Sequence, residues 1–162
     1  MDRPTSNPYR PTPDGRLRSR AMVYLQQSSL DLKEAKRLFL RDELVSSVFH
    51  SVQAGVNALT AVSLAGGRTP LSGASPTRLL QACVEKDQGF LLLAEPCQQM
   101  EQASGINPFG TAAAPPVISK EQTLELLEAA RAIFFKADQS LMDHKSFFGK
   151  VRHWMARRVN RR

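Results

Sequence analysis

The 162-residue chain has little of several residue types on which active sites depend. It contains two cysteines, Cys83 and Cys97, and three histidines. Two cysteines fall short of the disulfide framework that holds small secreted domains together, so we expect both thiols to be reduced. The cysteines and the scattered histidines lack zinc-ligand spacing, and we predict no metal site. No apolar run approaches the ~20 residues that a transmembrane helix needs.

The common cofactor and nucleophile motifs are also missing. The chain has no G-x-G-x-x-G, P-loop or G-x-S-x-G arrangement, so we predict no cofactor. The first residues are charged and rich in proline, without the apolar core of a secretory signal peptide. We therefore predict a cytoplasmic protein. A chain of this length, 42% of it hydrophobic, is long enough for one domain with a buried core.

Basic charge is concentrated at the two ends of the chain. The net charge is +7, to which residues 1–20 contribute +3, residues 21–144 contribute −3 and residues 145–162 contribute +7. Such a basic segment is compatible with nucleic-acid backbone binding, contact with an anionic membrane, or docking to an acidic protein. We predict that its bases bind nucleic acid, and they are Lys145, Lys150, Arg152, Arg157, Arg158, Arg161 and Arg162.

Helical periodicity is clearest over residues 42–65. Large apolar residues recur there at helical spacing, and four alanines form a flank that lets a neighbouring helix approach closely. The run ends at Gly66 and Gly67, which favour a left-handed helix cap. We predict that this helix is the centre of an all-α, up-and-down bundle of four to five helices. Its apolar stripe is formed by Val45, Val48, Phe49, Val52, Val56, Leu59 and Val62.

The segments before the central helix are predicted as a tail and one helix. Residues 1–16 carry four prolines and are expected to be a disordered tail, because they cannot bury enough apolar area to offset their ordering entropy. The first helix is predicted over residues 17–40, with Asp31 among its solvated charges. Asp42 is a plausible N-cap for the central helix.

The segments after the central helix give further predicted helices. Residues 77–94 are predicted as one helix that kinks or restarts at Pro96, because proline removes a backbone donor. A long loop follows over residues 104–118. The next helix starts at a Ser119–Gln122 capping box and runs to about residue 143, with Leu124 on its buried stripe. Residues 144–162 are predicted to form a basic amphipathic helix.

The first two helices resemble those of the HEPN superfamily, small helical bundles named for higher eukaryotes and prokaryotes nucleotide-binding. Residues 29–38 are similar to the family's first-helix pattern, and residues 126–138 stand where its last core helix stands. The second-helix pattern is matched by Phe49, His50, Gln53, Ala58, Leu59, Ala61 and Gly66. The resemblance implies a HEPN-like bundle over residues 17–143 and a homodimer.

The resemblance also bears on activity. One branch of the family consists of metal-independent ribonucleases in which an Arg is followed, four to six residues later, by a His. None of the three histidines here has an Arg at that spacing. The nearest equivalent is Arg131 with Lys136, and Val56 stands where many members carry a glutamate. Lysine is a poor general base at neutral pH unless its charge is strongly destabilised.

Three functions follow from the resemblance and the charge pattern. The first is a non-catalytic binding or helper protein that engages RNA or a partner protein such as a nucleotidyltransferase. The second is a divergent ribonuclease toxin of a toxin–antitoxin system, with His50, Arg131 and Lys136 as the candidate catalytic residues. The third is an oligomeric scaffold without nucleic-acid contact. We predict the first, because the ribonuclease spacing is missing while the basic segment is present.

Overall fold

The structure, a computed structural model, describes residues 13–69, 73–110 and 117–143, and these residues contain helices and no strand. This confirms the predicted all-α fold. The predicted basic C-terminal helix and residues 1–12 of the predicted tail lie outside the described residues. The helices are α1 (Pro13–Leu40), α2 (Leu44–Ala65), α3 (Pro76–Val84), a 3-10 helix (Gln88–Leu93), α4 (Ala94–Ala103) and α5 (Lys120–Asp143). None of them has the length and apolarity needed to cross a bilayer.

Helix α2 is the centre of the bundle, as predicted, and contacts α1, α3, α4 and α5. Its last two turns are covered on every side, because each residue from position 58 to position 64 is buried. Before them, α2 has an open face on which Phe49, His50, Val56 and Asn57 are half-buried. These four side chains are therefore within reach of a ligand or a partner.

Small side chains bring α1 and α2 close together. Ala35 on α1 and Ala54 on α2 are fully buried, and each offers its backbone carbonyl to the other helix. The Ser47 hydroxyl donates to the Ala35 carbonyl at 2.8 Å, and the Ser28 hydroxyl donates to the Ala54 carbonyl at 2.7 Å. Buried hydroxyls that are paired in this way cost little and fix the register of the two helices.

The turn between α1 and α2 differs from the prediction. Asp42 is not the N-cap of α2, a position that Glu43 occupies. Asp42 instead has a φ of 59° and closes α1 from its C-terminal side. The Asp42 N–H bonds the Phe39 carbonyl and the Glu43 N–H bonds the Leu38 carbonyl, which is the Schellman pattern. Aspartate tolerates the left-handed conformation better than most residues.

The other end of α2 has the cap that the paired glycines predict. Gly67 has a φ of 80°, and its N–H bonds the Leu64 carbonyl while the Arg68 N–H bonds the Ser63 carbonyl. Helix α3 begins at Pro76, one residue before the predicted start, with Ser75 as its N-cap. The predicted capping box is observed at the start of α5, where Ser119 and Gln122 exchange two side-chain-to-backbone bonds of 3.1 Å.

Three further boundaries or exposures differ from the predictions. Helix α1 begins at Pro13, inside the predicted tail, since proline is well suited to the first turn of a helix. The predicted single helix over residues 77–94 breaks after Val84, and the Asp87 carboxylate accepts the Gly89 N–H at 2.8 Å to start the 3-10 helix. Leu124 of α5, expected in the core, is 44% exposed.

Gly55 lies where α2 meets two other helices. A Cβ atom at this position would lie 2.3 Å from Sδ of Met100 on α4 and 3.5 Å from Cδ1 of Ile133 on α5. Both of these side chains are fully buried, so neither has free space into which to move. Glycine in mid-helix is therefore explained by this close approach, although it costs about 1 kcal/mol in helix propensity relative to alanine.

We predict that Gly55→Ala destabilises the fold despite the gain in helix propensity. Overpacking a core costs about 1–3 kcal/mol, so the net loss should be about 1 kcal/mol, measured by urea unfolding followed by far-UV circular dichroism. Gly105→Ala is the control, because nothing lies within 4 Å of its Cβ position. Adding Met100→Ala should cost less in the Gly55→Ala background than in the wild type. A more stable Gly55→Ala variant would contradict the packing described here.

Glu101 of α4 ties that helix to the start of α3. Its carboxylate accepts the Thr77 backbone N–H at 3.1 Å and also the Thr77 hydroxyl. These bonds favour the charged form, and the Thr77 side-chain bond is the main reason that the pKa of Glu101 is lowered from its usual value of 4.5. The first turn of α3 thus obtains from α4 the acceptor that the Ser75 side chain does not supply.

The lowered pKa of Glu101 predicts a defined pH dependence. The contribution of the carboxylate to stability is present above the glutamate pKa of the unfolded chain and is lost as the pH falls through the lower folded-state value. Glu101→Gln should therefore be less stable than the wild type at about pH 7 and close to it at about pH 3. Urea unfolding at the two pH values measures this difference.

Candidate functional site

A cluster of four polar side chains lies between α1 and the open half of α2. At its centre is Asp31, which is only 7% exposed. Its carboxylate contacts His50 Nδ1 at 3.0 Å and accepts from Asn57 Nδ2 at 3.0 Å and from Gln27 Nε2 at 3.3 Å. We call Gln27, Asp31, His50 and Asn57 the α1–α2 polar cluster. It links the two helices beside their buried serines.

Helical spacing places these four residues together. Gln27 and Asp31 are four residues apart on α1, while His50 and Asn57 are seven residues apart on α2, so each pair lies on one face of its helix. The His50 ring also contacts the Phe49 ring, with 5.4 Å between centroids, and Phe49 contacts the largely exposed Phe109 ring at 5.9 Å. The polar cluster is therefore bordered on one side by aromatic surface.

The chemistry available to His50 is limited by its contact with Asp31. A carboxylate accepts a hydrogen bond from Nδ1–H and fixes the ring orientation, which leaves Nε2 as the acceptor of a neutral imidazole. No hydrogen bond or ion pair joins His50 to an arginine or lysine within the described residues. The cluster therefore holds the histidine in a fixed orientation. It does not contain a cationic group that would stabilise negative charge developing on a phosphate.

The other two catalytic candidates have separate carboxylate partners. Arg131 bonds Glu128, one turn earlier on the same helix, at 2.9 Å. Lys136 lies 3.1 Å from Asp87 and 5.3 Å from the Phe90 ring centroid, so it fastens α5 to the 3-10 helix. His50, Arg131 and Lys136 are thus engaged by three different partners. The predicted nucleic-acid-binding residues, all at positions 145–162, lie outside the described residues.

Asp31 is the residue of the candidate site that was not predicted from the sequence. It was expected among the solvated charges of α1, yet it is the acceptor at the centre of the polar cluster. A signal for it exists in the sequence, because Asp31 falls within the family-like segment 29–38. His50 and Asn57 also share one face of the central helix, where an acceptor from a neighbouring helix is needed to satisfy both.

The cysteines contribute packing and no ligand set. Cys83 and Cys97 are fully buried and unbonded to each other. Burial raises the pKa of the Cys83 thiol to about 11 and that of the Cys97 thiol to about 12, which keeps both protonated and unreactive at neutral pH. Among the described residues, no group of three or more His, Cys, Asp or Glu side chains is placed to hold a metal ion.

Comparison with known protein families identifies the family to which this helical fold belongs. The family model of the HEPN domain matches residues 21–138, a range that extends from α1 to α5 and includes the whole polar cluster. The chain belongs to the HEPN domain family. Searches of curated proteins and of solved structures returned no match.

We predict that the Asp31–His50 contact contributes to stability. Asp31→Ala removes an acceptor shared by three donors and should destabilise the fold by about 1–3 kcal/mol, while His50→Ala should cost less because His50 is more exposed. The double variant should reveal a coupling of at least about 0.5 kcal/mol between the two residues. Urea unfolding of the four proteins gives this value, with Asp31→Ala and Arg20→Ala as an uncoupled control pair. Additive losses for Asp31 and His50 would show that their contact contributes nothing.

Proposed function

We propose that this protein is a non-catalytic HEPN-domain binding module that acts as a homodimer and engages RNA through the basic residues 145–162. The observation that carries the RNA assignment is charge segregation. These eighteen residues hold seven lysines or arginines and no acid, whereas residues 21–144 have a net charge of −3. A polyanion is attracted to the basic segment and repelled by the body of the protein, which orients the complex.

The contacts of the candidate catalytic residues support binding over catalysis. A metal-independent ribonuclease needs a base near the 2′-hydroxyl together with a cation near the scissile phosphate. His50 is bonded to Asp31, Arg131 to Glu128 and Lys136 to Asp87. Arg131 and Lys136 each pair with a carboxylate, and within the described residues no cation bonds His50. We therefore do not propose the ribonuclease alternative.

The proposal predicts salt-dependent binding to single-stranded RNA. If all seven bases contact phosphates, affinity should fall roughly a thousandfold between 50 and 200 mM salt. Fluorescence anisotropy with a labelled oligoribonucleotide across this range gives the slope of log K against log salt. Changing Arg157, Arg158, Arg161 and Arg162 together to alanine should reduce the magnitude of that slope by about 3.

A matched control separates local contacts from total charge. Changing Arg3, Arg10, Arg16 and Arg18 to alanine lowers the net charge from +7 to +3, as the C-terminal quadruple variant does. The proposal expects this N-terminal variant to keep most of the wild-type slope. Equal losses in the two variants, or no binding by the wild type at low salt, would overturn the RNA assignment.

A further inference from the structure

A groove of about 380 Å³ lies between α1 and α5 and is lined mainly by apolar side chains. Three of these side chains are substantially exposed, since Leu40 is 71% exposed, Phe135 is 59% exposed and Leu124 is 44% exposed. Exposed apolar residues that line one groove mark an interaction site, whereas exposed residues scattered singly do not. The other apolar residues of the groove are Leu32, Phe39, Leu127 and Phe134.

The groove is long enough to hold a short helix. Its lining residues lie within positions 29–40 of α1 and positions 124–135 of α5. At 1.5 Å per residue, each wall is about 17 Å long. A helix lying along the groove would therefore be in contact over about eleven residues, with apolar anchors at the i, i+3 or i+4, and i+7 spacing by which amphipathic helices occupy grooves.

The charged residues that line the groove make it locally positive. Lys33 and Lys36 are exposed on the α1 wall, and neither makes a side-chain hydrogen bond or an ion pair within the described residues. On the α5 wall, Glu128 is paired with Arg131 at 2.9 Å, so the charges of that wall balance. With three cations and one anion, the lining has a net charge of +2, whereas residues 21–144 together have a net charge of −3.

The two lysines favour an acidic occupant. Lys33 and Lys36 are three residues apart, so they lie on the same side of α1 and can pair with two carboxylates at the same spacing on an occupant helix. The basic residues 145–162 would bring seven more positive charges to this positive groove, and like-charge repulsion disfavours them as the occupant. RNA carries a phosphate at every nucleotide, while Ser29 is the one uncharged polar side chain in a lining made mostly of leucine and phenylalanine.

We propose that the groove between α1 and α5 docks an acidic amphipathic helix of a partner protein. The apolar face of that helix covers Leu40, Leu124 and Phe135, and removal of this surface from water drives association. Two carboxylates beside the apolar face pair with Lys33 and Lys36, which contributes specificity more than affinity. The groove is separate from the basic segment assigned to RNA, so this inference goes beyond the proposed function and does not depend on it.

A pair of designed peptides tests the charge of the occupant. Each is a fluorescein-labelled helical peptide of about 16 residues with leucines at the groove-binding spacing. The acidic peptide has glutamates beside the leucines, and the basic peptide has lysine in place of every glutamate. Fluorescence anisotropy with the full-length chain at physiological ionic strength should show the acidic peptide binding about tenfold or more tightly than the basic peptide, because two attractive contacts become repulsive.

Reversing the charge of the groove should reverse this preference. Lys33→Glu and Lys36→Glu together should weaken the acidic peptide about tenfold and strengthen the basic peptide. The gain in binding of the basic peptide also shows that the double variant is folded. Arg20→Glu with Arg78→Glu changes the net charge by the same amount at exposed positions outside the groove. This control should leave both affinities within about twofold, since distant charges are screened by salt.

A third variant tests the apolar part of the groove. Phe135→Ala should weaken both peptides about tenfold, because both use the same apolar surface, and its helix content by circular dichroism should match the wild type. Binding of a labelled oligoribonucleotide should be unchanged in this variant, and a loss would instead assign the groove to RNA. The inference would be overturned if neither peptide binds, if both bind equally, or if Lys33→Glu with Lys36→Glu leaves the preference unchanged.

Discussion

The close approach of α1 and α2 is the constraint on which the rest of the bundle depends. Two serine hydroxyls bond backbone carbonyls across the contact, and the alanines whose carbonyls accept these bonds are fully buried. Helix α1 covers one side of α2, and α3, α4 and α5 pack against its other sides. Gly55 applies the same principle where α2 meets α4 and α5, because a Cβ there would clash with Met100. Small residues at these contacts therefore allow the helices to approach closely, and larger residues fill the remaining space of the core.

Carboxylates organise the basic residues of the described bundle. Asp31 pairs with His50, Asp87 with Lys136 and Glu128 with Arg131, and two of these three contacts join different helices. These pairs hold His50 and Lys136 against neighbouring elements of the bundle. The excess positive charge of the chain lies in residues 1–20 and 145–162.

Periodicity and cap chemistry predicted most of the architecture. The central position of α2, the glycine cap after it and the capping box of α5 all follow from local residue types. The predictions of caps and helix boundaries were wrong where the same local residues suit two different structures. Asp42 suits either an N-cap or a left-handed C-terminal cap, and only the hydrogen bonds of its neighbours decide between them. The 3-10 helix arises from one Asp87 side-chain bond, which interrupts an otherwise continuous helical pattern.

The candidate site was harder to predict than the fold, because it depends on which helices meet. Asp31 looks like a solvated charge until His50 and Asn57 are brought opposite to it. Leu124 follows the buried periodicity of α5 yet faces a groove. A helical wheel predicts the direction in which a side chain points, but it does not show whether another helix lies in that direction. The role of a residue that depends on contact with a second helix therefore cannot be predicted from periodicity alone.

The short Schellman turn between α1 and α2 has a consequence for how the chain acquires its structure. Only three residues separate the two helices, whereas more than fifty separate α2 from α5. Loop-closure entropy grows with length, so the hairpin forms from contacts that are local in sequence, and α5 must find its place across a much longer loop. During synthesis, the hairpin is complete long before α5 emerges from the ribosome. Until then, the sides of α2 that α5 will cover are exposed, and this nascent stage is the one most open to misassociation with other chains.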